Sequence, residues 1–223
     1  MSAIFDPTNS YREHAGAPVA ASRLDRDQPQ TQHDRWERER LLAAIVDEVA
    51  ERGYEQTSAA TVARRAGMTE RDFYAHFADT EDCFVQGFDS LVGQVFAHTL
   101  SAYHAPHENW RTAVRAALST LVHAVRLSTN AAQVYLVEAP GVGARALGHY
   151  RIAVALLEDA IGQMLADAPS GSEKATVDVG VVTAGVLRIL EAQTREGCSI
   201  DADSVVDRTL DGVLAQVERQ AVE

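Results

Sequence analysis

A chain of 223 residues that is 46% apolar and 23% charged has the make-up of a soluble globular protein, with room for one large domain or two modest ones. No apolar run approaches the ~18 residues of a membrane span, the first residues lack the basic-then-apolar layout of a secretory leader, and Cys83 and Cys198 match no metal or redox spacing. A cytoplasmic setting is therefore expected. The net charge of −12 weighs against nucleic-acid binding, because the phosphate backbone attracts cations; what decides the matter is which face carries the charge.

Residues 1–34 are polar, broken by Pro7, Pro18 and Pro29, and show no periodic apolar face, so a flexible arm is expected. A first helix is predicted from about Arg35 to Gly53, its apolar stripe made by Leu41, Leu42, Ile45, Val46 and Val49. Trp36 is expected to anchor its near end, Tyr54 to fold back on the stripe, and Thr57 to cap the second helix. The stretch from Thr57 to Phe77, TSAATVARRAGMTERDFYAHF, then reads as two short helices around Ala66-Gly67-Met68-Thr69. Gly67 can take the left-handed conformation that ends the first. Thr69 and Asp72 have capping-box spacing at the start of the second. Val62, Ala63 and Ala66 turn inward from one helix, Phe73 and Phe77 from the other. Such a pair describes a helix-turn-helix whose second member can enter the DNA major groove.

With Leu41-Leu42-Ala43-Ala44 and Arg52-Gly53-Tyr54 upstream, and Phe73-Tyr74-Ala75-His76-Phe77, Glu81 and Phe84 downstream, this block resembles the N-terminal domain of the TetR family of bacterial transcriptional repressors. The resemblance covers about Arg38 to Phe84. It implies an all-α protein of about nine helices, divided into a helix-turn-helix domain at 35–80 and a ligand-binding and dimerisation domain at 81–223. Two departures stand out. Thr80 occupies the start of the fourth helix, where many relatives carry lysine, and acids sit at Glu70 and Asp72. Segment 35–84 as a whole has seven arginines against eleven Asp and Glu.

Beyond the turn, Asp79 suits an N-cap with Glu81 and Asp82 in the first turn, where acids complement the helix dipole. That helix carries Phe84, Phe88, Leu91, Val95 and Leu100 and should end before Ala105-Pro106. Further helices are predicted over 110–127, over 131–139 with Pro140-Gly141 as its stop, over 142–166, over 173–196 up to Gly197, and over 203–220. Ala168 to Ser172 reads as a loop.

For DNA contact the exposed candidates are Thr57, Thr69, Glu70, Arg71, Tyr74, His76 and Thr80. Arg71 can make the bidentate pairing to guanine, Glu70 can accept from cytosine, and Tyr74 can donate to a phosphate, as the matching family tyrosine does. Arg64 and Arg65 lie near the turn, and Asp72 is better explained as Thr69's capping partner than as a base reader. The resemblance also implies a small-molecule pocket among the middle helices. Polar or aromatic residues on apolar helices are its candidates: His98, Trp110, His123, Tyr135, Glu138, Tyr150 and Met164. Each of these also has an ordinary structural explanation, and Glu138 could pair with Arg126, Arg145 or Arg151. Val182, Val186, Ile189 and Leu190 on one late helix, and Val206, Leu210, Val213, Leu214 and Val217 on the next, are assigned to a homodimer interface.

His104 and His107 lack further spaced ligands, so no metal site is assigned; no cofactor and no catalytic motif is expected either. The resulting expectation is a homodimeric repressor that binds palindromic double-stranded DNA and is released by a small-molecule effector. The alternatives are a helical scaffold that kept the fold without DNA binding and, more remotely, a helical-bundle enzyme.

Overall fold

The computed structural model describes residues 28–168 and 178–194, together with Ser204, Val206, Asp207 and Asp211. All regular structure among the described residues is helical. By contact they group into a unit up to Arg40 and a unit from Leu41 onward.

Helix α1 spans Gln28–Arg52, so it begins a full two turns before the expected Arg35. Trp36 anchors nothing: it is half exposed, with the Arg40 guanidinium 4.6 Å over its ring and His33 stacked on it. From Leu41 the helix is amphipathic in the expected sense, with Leu41, Ile45 and Val49 fully buried at four-residue spacing. Gly53 closes it at φ 77°, its N–H donating to the Val49 carbonyl, a conformation that disfavours any residue with a Cβ. A 3-10 turn, Tyr54–Gln56, leads to α2, Ala59–Arg65. Tyr54 turns back edge-on to Phe84, with centroids 5.6 Å apart.

The α2 cap is Ser58, not Thr57. Ser58 Oγ accepts from the Thr61 N–H while Thr61 Oγ1 accepts from the Ser58 N–H. Thr57 belongs to the preceding turn instead, donating its hydroxyl to the Gly53 carbonyl at 3.0 Å. Helix α3, Glu70–His76, follows Gly67 at φ 68° and carries the predicted Thr69–Asp72 capping box. Helix α4, Thr80–His104, is capped by Asp79, which accepts from the Asp82 N–H.

Helix α5, Trp110–Leu127, opens with an Asn109–Thr112 capping box. The expected helix over 131–139 is instead composite. Helix α6, Thr129–Gln133, runs into a π-helical turn at Val134–Glu138 and then α7, Ala139–Val142. Pro140 lies in the first turn of α7, where its missing N–H costs nothing, so it starts a segment that the sequence suggested it would stop. The wide turn brings the adjacent Val134 and Tyr135 both into the core. Helix α8, Ala144–Ala166, begins after the extended Gly143, and α9 is described over Val179–Thr194. The arm at 1–27, the loop and helix start at 169–177, the end at Gly197 and nearly all of 203–220 lie outside the described residues.

One core cluster joins α1–α3 and the first half of α4 to Val134, Tyr135, Ala139 and Ala146. A second is built from α5, α6 and α9 with Val206. A third surrounds Tyr103 and Val114. No described helix is long and apolar enough to cross a membrane.

Candidate nucleic-acid interface and effector cavity

The burial pattern of α3 divides the helix into two edges. Phe73 and Phe77 are buried, their rings 5.5 Å apart, and they fix the helix on α2 and α4. Glu70, Arg71, Tyr74 and Ala75 are exposed. Tyr74 is 56% exposed and stands edge-on to Phe73, which orients the ring while leaving its hydroxyl in solvent. Asp72 is committed to Thr69: its carboxylate accepts from the Thr69 N–H at 2.9 Å and from the Thr69 hydroxyl at 2.7 Å. Those bonds hold its pKa below the usual carboxylate range. Thr69 itself is exposed at the entrance to the helix. His76 is half-buried against Phe77. Thr80 is the half-buried first residue of α4, and Thr57 is half-buried in the 3-10 turn.

Of the two arginines that end α2, only Arg64 is exposed. Arg65 turns back to α1. Its Nε donates to the buried Glu48 at 2.5 Å, and its other two nitrogens bond the Glu51 carboxylate. Arg52 also reaches Glu48, at 3.3 Å. A buried carboxylate needs such partners, so Arg65 serves the α1–α2 junction. The sequence placed it among cations near the turn, and no local pattern could have revealed partners 14 and 17 residues away. Among the described residues of α2 and α3, Arg64 and Arg71 thus supply the exposed arginine charge.

Two contiguous apolar cavities lie among α4, α5, α8 and α9, enclosing ≈ 700 and ≈ 790 Å³ of non-atom space, part of it open to solvent. Both are lined by Val95, Phe96, Leu121 and Leu157. Trp110 and Met164 line the first and Tyr135 and Tyr150 the second. Trp110 already donates its N–H to the Met164 carbonyl at 2.6 Å. His98 and His123 do not reach either cavity; both are exposed. On α5, Leu121 and Val125 define the inward stripe, and His123, two residues from each, points the other way. His98 bonds the Gln94 carbonyl on its own helix.

Glu138 also stays outside both linings. Burial pushes its pKa up, opposed in smaller measure by the Tyr54 backbone. Arg145 pairs instead with Asp79 and Glu81. Glu81 further accepts from the Arg145 and Ala146 N–H groups at 3.1 and 3.3 Å, capping α8 from α4. Arg145 in turn holds the Asp79 carboxyl below its usual range.

The Tyr135 hydroxyl has no hydrogen-bond partner among the described residues, although the residue is 4% exposed. An unsatisfied buried hydroxyl costs roughly 1–3 kcal/mol. Thr99, which lines the first cavity, has a buried hydroxyl oxygen in the same condition.

The residues assigned to the dimer interface are placed differently from expectation. Val186, Leu190 and Val206 are buried in the chain's own second core and Ile189 packs against it, while Val182 is buried beside the first cavity. Val186 and Leu190 are how α9 covers α5 and α6. Leu210, Val213, Leu214 and Val217 lie outside the described residues. Among the described residues, apolar side chains left open include Ile152 and Leu156 on α8, 60% and 50% exposed, and Val181 on α9, 51% exposed.

Residues 41–86 match the family described as bacterial regulatory proteins, tetR family. No curated protein sequence matches the chain. Among solved structures, the fatty acid degradation regulator FadR from Bacillus halodurans aligns with a TM-score of 0.70 at 16% identity, over 80% of this chain and 94% of that one. FadR from Bacillus subtilis, solved with stearoyl-CoA, aligns with a TM-score of 0.64 at 15% identity, over 79% and 97%. AibR, solved with isovaleryl coenzyme A and operator DNA, gives 0.66 at 16% identity, over 79% and 97%. At such identities these likenesses speak to the fold, which extends through the helical C-terminal region.

Proposed function

Because this chain is a DNA-binding transcriptional regulator of the TetR family, we propose that it acts as a homodimeric repressor released by an effector with an apolar chain. The observation that carries the reading is the two-edged α3. Its apolar edge is locked into the core by Phe73 and Phe77, and its polar edge, Arg71 and Tyr74 foremost, is left open. Arg71 reads a base edge, Tyr74 donates to a phosphate, and Thr69 and Glu70 stand at the helix entrance beside them. Two copies related by a twofold axis present two such edges to successive major grooves of a palindromic site.

The division of labour follows the chain. Residues 35–80 read DNA, and residues from 81 onward hold the effector and the partner copy. The exposed apolar side chains of Ile152, Leu156 and Val181 belong to the partner-facing surface.

The contiguous cavities supply the regulatory half. Their linings are apolar and lack charged side chains among the described residues, which suits an acyl chain and not a compact polar metabolite. Two structurally similar regulators were solved with acyl-coenzyme A molecules, which supports an acyl thioester as the effector class here. Such a ligand shifts the population toward a conformer whose two α3 helices no longer fit the duplex.

Anisotropy titration of labelled DNA from the region upstream of its own gene tests this. Binding should weaken steeply as salt rises, and decanoyl-CoA should lower the affinity at fixed salt. Affinity that ignores both salt and decanoyl-CoA would overturn the proposal.

A further inference from the structure

Two locally unfavourable choices meet at one point in the core. Gly87 lies inside α4, where glycine is a poor helix former, and Tyr135 carries a buried hydroxyl with no partner. The two are in contact: a Cβ on Gly87 would fall 2.4 Å from Tyr135 Oη. Glycine is therefore required to make room for a hydroxyl without a partner among the described residues. A phenylalanine at 135 would pack equally well between Phe84 and Phe88, which meet the ring edge-on at 5.3 and 5.5 Å, and would remove the unsatisfied oxygen. Paired departures from local rules mark functional positions, and no contact among the described residues uses the hydroxyl.

It has a use in another state, because the ring of Tyr135 also lines the second cavity. We propose that Tyr135 is both the effector's anchor and the trigger of DNA release: its hydroxyl leaves the Gly87 notch to donate a hydrogen bond to an uncharged acceptor, such as a carbonyl, on an apolar chain. This rests on the effector-responsive reading above and deepens it. The acceptor is uncharged because no described residue lining the cavity carries a charge to balance an ion; charged parts of a ligand stay toward solvent. The route to DNA is the aromatic stack itself. Tyr135 packs on Phe84, Phe84 packs on Tyr54 at the end of α1, and all three pack within the cluster that holds Phe73 of α3. Withdrawing the ring from Phe84 and Phe88 removes the support behind the α4 face on which Tyr54 packs.

Two measurements test this. In the first, N-phenyl-1-naphthylamine occupies the cavity as a fluorescent apolar probe and is displaced by 2-decanone or by decanoate, in wild type and Tyr135→Phe. The ketone should displace it from wild type at a concentration about five- to tenfold lower than from Tyr135→Phe, the effect of one hydrogen bond, and decanoate should displace it poorly from both. Equal displacement by the ketone from the two proteins overturns the anchor while leaving the effector reading intact. Failure of the probe to bind either protein removes the effector reading, and the anchor with it.

In the second, Gly87→Ala pushes Tyr135 out of its notch without ligand, so DNA affinity should fall at least fivefold. Adding Tyr135→Phe removes the clashing oxygen, since the next ring atom, Tyr135 Cζ, lies an ordinary 3.7 Å from the added Cβ, and should restore affinity to within about twofold of the Tyr135→Phe protein. Wild-type DNA affinity in Gly87→Ala, or a double variant as weak as the single one, overturns the trigger.

Discussion

Glu81 and Arg145, 64 residues apart, bind each other twice: the Glu81 carboxylate accepts from the Arg145 backbone N–H at 3.1 Å and from its guanidinium Nε at 3.3 Å. The same guanidinium holds Asp79, the cap of α4. The first turns of α4 and α8 are thereby fastened to one another at their positive ends, a favourable place for carboxylates. Arg145→Ala should lower the midpoint of urea unfolding only slightly, because the pairs are largely exposed. The Asp79 carboxyl sits below its ordinary pKa, so its contribution is complete above the unfolded value near ~4 and fades as pH falls through the folded one. The gap between wild type and Arg145→Ala should narrow below about pH 4. A gap independent of pH would show that Asp79 gains nothing from Arg145.

Glu138 behaves oppositely. Burial raises its pKa, so its proton favours the folded chain below the unfolded value near ~4.3, and that advantage is lost as pH rises through the folded value. Glu138→Gln retains an acceptor oxygen without the charge. Thermal melts should show the variant more stable than wild type at pH 7.5 and equal to it near pH 4. A variant less stable at pH 7.5 would mean that the charge is needed.

Arg65 should prove structural. Arg65→Ala leaves the buried Glu48 with Arg52 as its remaining ion-pair partner among the described residues, a loss of roughly 2–4 kcal/mol in unfolding free energy given what breaking buried pairs costs. The slope of DNA affinity against salt should not change, because no phosphate contact is lost.

Arg71→Ala and Tyr74→Phe should each weaken operator binding by roughly 5- to 50-fold with melting temperatures and oligomeric state unchanged, since both side chains are exposed. Wild-type anisotropy curves for both variants would remove α3 from the DNA interface.

Ile152→Glu combined with Leu156→Glu should yield monomers by light scattering and abolish cooperative operator binding, while circular dichroism stays helical. A persistent dimer would place the partner surface elsewhere.

The sequence announces what its neighbours in the chain decide. Gly67, the Thr69–Asp72 box and the Asp79 cap each depend on partners within four residues, and α3 came out as expected. Ser58 and Thr57 show the limit of that rule. Two adjacent hydroxyls compete for one cap, and the outcome turns on the Gly53 carbonyl bonding Thr57. Long-range choices were hidden. The apolar stripe of Val182, Val186 and Leu190 was visible, but nothing in it says whether α5 or a second copy covers it. His98 and His123 looked conspicuous only because their helices are apolar overall; a helical wheel centred on Leu121 would have turned His123 outward. The partners of Arg65 and Arg145, and the Gly87–Tyr135 contact, are set by how distant helices meet, which no spacing encodes.

The continuous core from α1–α3 to Val134, Tyr135, Ala139 and Ala146 bears on any attempt to redesign this regulator. A reading head severed near residue 80 would lose Phe84 and Phe88 together with the apolar floor supplied by Val134, Tyr135, Ala139 and Ala146, so it should not fold as a portable cassette. New operator preferences have to be rewritten in place along the outer edge of α3, or grafted together with the π-turn that underlies it.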